Sequence, residues 1–209
     1  MPGRSRARAL RSGVLDRFPD LLRELEADDG KLLETECESL ADRFRQRRGE
    51  QGHLTLGHGD LNPTNILAPR ASGSDLPVYF VDRQPFDWSL TLWTGPSDLA
   101  YAIGLSWAPD VQALLVSDTL NAYYEGLLSH GVSGYRWEDL LSDYRLGLVQ
   151  AVGVPANWCA VPEAREKPWL MAPMLKIAPA IARLPWIEPL WLWPQKPLRF
   201  GVTQVRLEV

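Results

Sequence analysis

Leu33, Cys37, Leu40 and Phe44 recur at steps of three or four with Glu and Arg filling the opposite positions, the spacing of one buried helical face. Two helices are predicted here, over 19–27 and 31–48, punctuated by Gly30 and Gly49. From 54 to 82 the texture changes to short apolar or β-branched runs, "LTL", "NIL" and "VYFVD", separated by Gly, Pro, Asn and Ser, which predicts short strands and turns. After Pro96 helical periodicity returns in "PSDLAYAIGLSW", "PDVQALLVSDTLNAYYEGLLSHG" and "WEDLLSDYRLGLVQAVG". Trp137, Leu141, Tyr144 and Leu148 share a stripe in the last of these, and the three helices are expected to close on glycines. Beyond Pro155 the prolines come every few residues and no single period holds. The pattern predicts an α-rich α+β fold, with short strands packed between helices that precede and follow them in sequence.

Composition narrows the classes. With 209 residues, 45% hydrophobic and 23% charged, the chain matches an ordinary soluble globular protein with one substantial core. A formal charge of -4 gives no general basic field, so nucleic acid is not the expected partner. Lys176, Arg183, Glu188 and repeated prolines break the most apolar region, so no membrane span is expected. The two cysteines, Cys37 and Cys159, have no partnered spacing; they read as core thiols and fit a reducing cytoplasm. Nine tryptophans could line a pocket for a cationic or aromatic substrate, but Trp93, Trp107 and Trp137 sit where core packing explains them.

Small polar groups gather in "GHLTLGHGDLNPTNILAP", residues 52–69. There Asp60 precedes Asn65 by five positions across a proline-containing turn, and the run "VYFVD" ends in Asp82. Phosphoryl transfer needs a carboxylate to orient and deprotonate an attacking hydroxyl, and hard oxygens to hold magnesium against nucleotide phosphates. Two aspartates and an asparagine supply those groups. Taken alone, an aspartate and an asparagine five apart are equally at home capping a turn, and Asp98 behind Pro96 and Ser97 also reads as a helix N-terminal cap.

"HGDLNPTNIL" resembles the catalytic loop of the aminoglycoside phosphotransferase and choline kinase group, the small-molecule branch of the protein-kinase-like fold, which writes His-Gly-Asp where protein kinases write His-Arg-Asp. "VYFVDRQ" resembles that family's next strand and metal-binding aspartate, with Arg83 where the family more often has Trp or Phe, and "GPSDLAYAI" resembles its Asp-Leu-Ala helix start. The resemblance implies Asp60 as catalytic base, Asn65 and Asp82 as magnesium ligands, and His58 and Asp98 as structural support of the site, with ATP as phosphate donor and a small hydroxyl compound as acceptor. It covers 53–104 closely and extends more loosely to about 155, implying a kinase-like C-terminal lobe over 19–185, flanked by an irregular start, 1–18, and a Trp- and Pro-rich tail, 186–209. The 57 residues before His58 carry no Gly-x-Gly-x-x-Gly and one lysine, Lys31. A complete enzyme of this kind also needs a nucleotide-covering lobe. The expectation is therefore a phosphotransferase C-terminal lobe that lacks its N-lobe and shows little or no turnover alone. The alternatives are a non-catalytic kinase-like binding module and an unrelated metal-dependent hydrolase, the latter disfavoured because His53 and His130 are not spaced as metal ligands.

Overall fold

A computed structural model describes residues 27–49, 52–70, 76–82, 91–159, 169 and 172–183. The helix expected to begin at 19, the irregular start 1–18, Arg83 and the tail 186–209 lie outside them. The architecture is helix-rich α+β, as the pattern predicted. Its elements are α1 (Ala27–Gly49), β1 (Leu54–Gly57), a 3-10 turn (Pro63–Asn65), β2 (Ile66–Leu67), β3 (Tyr79–Phe80), β4 (Thr91–Thr94), α2 (Pro96–Ser106), α3 (Pro109–Ser129), α4 (Trp137–Ala151), α5 (Gly153–Cys159) and α6 (Ala172–Arg183).

The strands form two antiparallel ribbons. Leu54 to Gly57 of β1 pair with Thr94 to Thr91 of β4, and Ile66 and Leu67 of β2 pair with Phe80 and Tyr79 of β3. Strand β4 was not anticipated, because "TLWT" is too short to show alternation. Ribbons of this size are not stable by themselves, so the helices must hold them. They do so through β4, which runs by way of Gly95 directly into α2.

Helix α1 continues through Gly30 instead of stopping there, since an interior glycine costs a helix only about 1 kcal/mol. Its stripe buries Cys37 and Leu40, with Phe44 edge-on against Trp93 at 5.2 Å; the Leu33 side chain is outside the described set. The core continues through Ala100 and Ile103 of α2, Leu120 of α3, Tyr144 and Leu148 of α4, and Ile177 and Ile181 of α6. Two glycines let α2, α4 and α6 approach closely. A Cβ on Gly147 would stand 2.8 Å from Ser97 Cα and 2.9 Å from Ala100 Cβ, and one on Gly104 would stand 2.6 Å from Leu148 Cδ2. The first turn of α2 is thereby pressed onto α4.

Of the three helices expected to close on glycines, only α3 does. Gly131, at φ 82°, donates to Leu128 O while Val132 donates to Leu127 O, a Schellman ending. Helix α2 ends instead on side chains: Gln112 Nε2 donates to Trp107 O at 2.9 Å and to Lys176 O at 3.2 Å, and Lys176 Nζ donates to Ser106 O at 2.9 Å. These bonds tie α2, α3 and α6 together at the end remote from the first turn of α2.

Candidate active site

Strand β1 delivers the chain at Gly57 into the loop His58–Asn65, and this loop is held from beneath by α2. Asp98 stands in the first turn of α2, where its negative charge is favoured by the helix dipole. Its carboxylate does not cap its own helix. Oδ2 accepts from His58 N at 2.6 Å and Oδ1 from Gly59 N at 2.9 Å, so both oxygens are used on successive loop amides. Presenting these amides to one carboxylate turns the backbone sharply, and Gly59 takes φ 82°, a conformation that costs residues with a Cβ roughly 1–2 kcal/mol.

The buried His58 ring is the second brace. Nε2 lies 2.9 Å from Val81 O, and Nδ1 lies 3.3 Å from Asp60 N. A carbonyl can only accept and an amide can only donate, so the ring is the tautomer carrying its proton on Nε2. One imidazole thus links the backbone of Asp60 to the segment that carries Asp82. That segment is tied a second time, since Val81 N donates to Asn65 O at 2.9 Å.

Asn62 caps the 3-10 turn, its Oδ1 accepting from Thr64 N at 3.1 Å, with Pro63 preset in the first turn position. The turn places Asn65, which is buried, so that Nδ2 donates to Asp60 O at 3.0 Å and lies 3.5 Å from Asp60 Oδ2. With its nitrogen committed to Asp60, the Asn65 amide retains Oδ1 as its acceptor. Asp82 is exposed and does not end a strand as expected; β3 stops at Phe80, and Asp82 follows at φ 61°, a left-handed conformation that aspartate tolerates better than most residues.

The structure therefore brings Asp60, Asn65, His58 and Asp98 into one hydrogen-bonded cluster and fixes Asp82 to it through the backbone of Val81. Tyr101, one turn after Asp98 on α2, lies near them: burial first, and then the neighbouring Asp60 carboxylate, push its phenol well above the ordinary value. Sequence reasoning passed over Tyr101, although the i, i+3 spacing from Asp98 marks it as a neighbour on the same helix face. His53 and His130, given no role, lie elsewhere: the His53 ring packs on Tyr135 at 5.1 Å, and His130 Nδ1 lies 2.8 Å from Gly126 O.

Among the described residues no three His, Cys, Asp or Glu side chains gather as metal ligands, and no helix is long and apolar enough to cross a membrane. No protein-family model, no curated protein and no solved structure matches the chain.

Proposed function

We propose that this cluster is the catalytic loop of a phosphotransferase, built like the C-terminal lobe of the protein-kinase-like fold, that moves the γ-phosphate of ATP to a hydroxyl of a small molecule. The observation that carries the reading is the two-point grip of Asp98 on His58 N and Gly59 N, which makes a polar loop into a fixed platform ending in Asp60. Catalysis of this reaction is almost entirely positioning and charge stabilisation, so a rigid loop is what the chemistry requires. Asp60 orients the attacking hydroxyl and accepts its proton.

The donor set fits magnesium. Asn65 offers a carbonyl oxygen once its nitrogen is spent on Asp60, and Asp82 offers an exposed carboxylate. Two hard oxygens suit an ion that keeps its remaining positions for water and phosphate. When bound with ATP, magnesium supplies neutralisation of the phosphate oxygens. A grip on the nucleotide is less well provided: the chain contains no Gly-x-Gly-x-x-Gly, and Lys176 is committed to Ser106 O. The chain by itself is therefore expected to turn over slowly. That gap is also the observation favouring the second reading, a kinase-like module that binds without catalysing. A cytoplasmic location, where ATP and magnesium are plentiful, accompanies either.

The test is ADP release from Mg·ATP across aminoglycosides, choline, sugars and amino-acid derivatives. Slow turnover with at least one acceptor, abolished by Asp60→Asn at unchanged melting temperature, is expected. Equal turnover by Asp60→Asn would remove Asp60 from the chemistry, and no turnover with any acceptor would favour the binding module.

A further inference from the structure

Gly95 is the single residue between β4 and α2, and its carbonyl accepts from Asp98 N at 3.2 Å, so its position is passed directly to the residue that grips the loop. Its backbone, at φ -58° and ψ -41°, is right-handed helix that any residue adopts, so conformation does not account for a glycine here. Space does. A Cβ on Gly95 would stand 2.1 Å from Tyr123 Oη and 3.3 Å from both Tyr123 Cζ and Thr55 Cγ2. The half-buried Tyr123 phenol, reaching across from α3, therefore fills the volume that a side chain would take. The first turn of α2 is thus pressed from two sides, by α4 at Gly147 against Ser97 and Ala100 and by Tyr123 of α3 against Gly95. A hydroxyl pair, Thr94 Oγ1 and Ser97 Oγ at 2.8 Å, closes the same junction.

We propose that Tyr123 is a positioning residue for the loop that carries Asp60: its phenol seats on Gly95, sets where α2 begins, and so sets the Asp98 carboxylate against His58 N and Gly59 N. This rests on the phosphotransferase reading for its consequence in catalysis, but not for its geometry. In the full 209-residue chain, Tyr123→Phe removes only the hydroxyl, and Gly95→Ala expels it. Each is expected to speed hydrogen exchange at the His58 and Gly59 amides about tenfold relative to Trp107 N, which bonds Ile103 O at the far end of α2. The double variant should match either single one at those amides, because without the hydroxyl the nearest atoms to the new Cβ stand 3.3 Å away. Equal acceleration at all three amides, the mark of a general loss of stability, overturns the proposal, as does no acceleration at His58 and Gly59 or a double variant whose effects add. Where turnover is observed, Tyr123→Phe should lower kcat at unchanged KM for the acceptor, the signature of an interaction needed in the transition state and not for binding. A raised KM at unchanged kcat would assign Tyr123 to substrate binding and contradict the positioning role. The exchange measurement needs no turnover, so an absence of phosphotransferase activity leaves it standing, and unchanged exchange leaves the phosphotransferase reading standing.

Discussion

Asp98 carries more of the site's geometry than the residue proposed to act, because its two oxygens satisfy two loop amides that would otherwise have no partner. Asp98→Ala is expected to cost about 3 kcal/mol, from stranded donors and a lost charged acceptor. Urea unfolding measures the loss, and hydrogen exchange should quicken at the His58 and Gly59 amides first. Much of this was legible in sequence: His58, Asp60, Asn65, Asp82 and Asp98 were all singled out, and all but Asp82 meet directly. Asp98 was open to reading as a helix cap as well as a brace of the site, and the structure shows its carboxylate turned toward the loop. Tyr101 was not singled out, since a tyrosine in an apolar helix face reads as core and its hydroxyl gives no sign in the pattern of what it meets.

Among the elements, the contact between α2 and α4 positions the loop. Gly147→Val would drive a side chain into Ser97 and Ala100, which flank Asp98 on α2, and is expected to cost about 1–3 kcal/mol by overpacking. The same substitution should shift the His58 and Gly59 amide resonances. Gly126, in the last turn of α3 with nothing within 4 Å of an added Cβ, is the control: Gly126→Ala should stabilise by about 0.5–1 kcal/mol and leave those resonances unmoved. Thermal unfolding measures both. Helices α2, α3 and α4 were legible because their apolar stripes run uninterrupted. Helix α6 was not, because Pro173 and Pro179 interrupt its pattern although Ile177, Ala178 and Ile181 bury one face. Pro173 stands in the first turn, where no backbone donor is needed, whereas Pro179 removes one interior hydrogen bond that the buried face must offset.

Across the whole molecule, the two ends of the helical layer are joined by a buried charge network. Arg47 Nε donates to Asp143 Oδ1 at 2.7 Å, Tyr135 Oη donates to Asp143 Oδ2 at 2.9 Å, and Arg47 Nη2 reaches Gly52 O at 2.9 Å, linking α1, α4 and the approach to β1. Burial, followed by the Asp143 charge and its hydrogen bond, raises the Tyr135 phenol; burial also raises those of Tyr144 and Tyr101. Unfolded tyrosines ionise near pH 10.0 while these stay protonated in the fold, so their contribution is fully present below that pH and is lost as pH rises toward the folded values. Urea midpoints should therefore hold steady from about pH 8 to 9.5 and fall above about pH 10, with a shallower fall in Tyr144→Phe. The claim that the loop His58–Asn65 and Asp82 form a magnesium–nucleotide site is tested most directly by paramagnetic broadening of amide signals on adding Mn2+ with and without ATP, a measurement that detects even weak binding. Selective broadening at Asp60, Asn65 and Asp82 with Mn·ATP, little with Mn2+ alone, and its loss in Asp82→Asn are the expected result. Equal broadening by Mn2+ without nucleotide, or none at these residues in millimolar Mn·ATP, would contradict it.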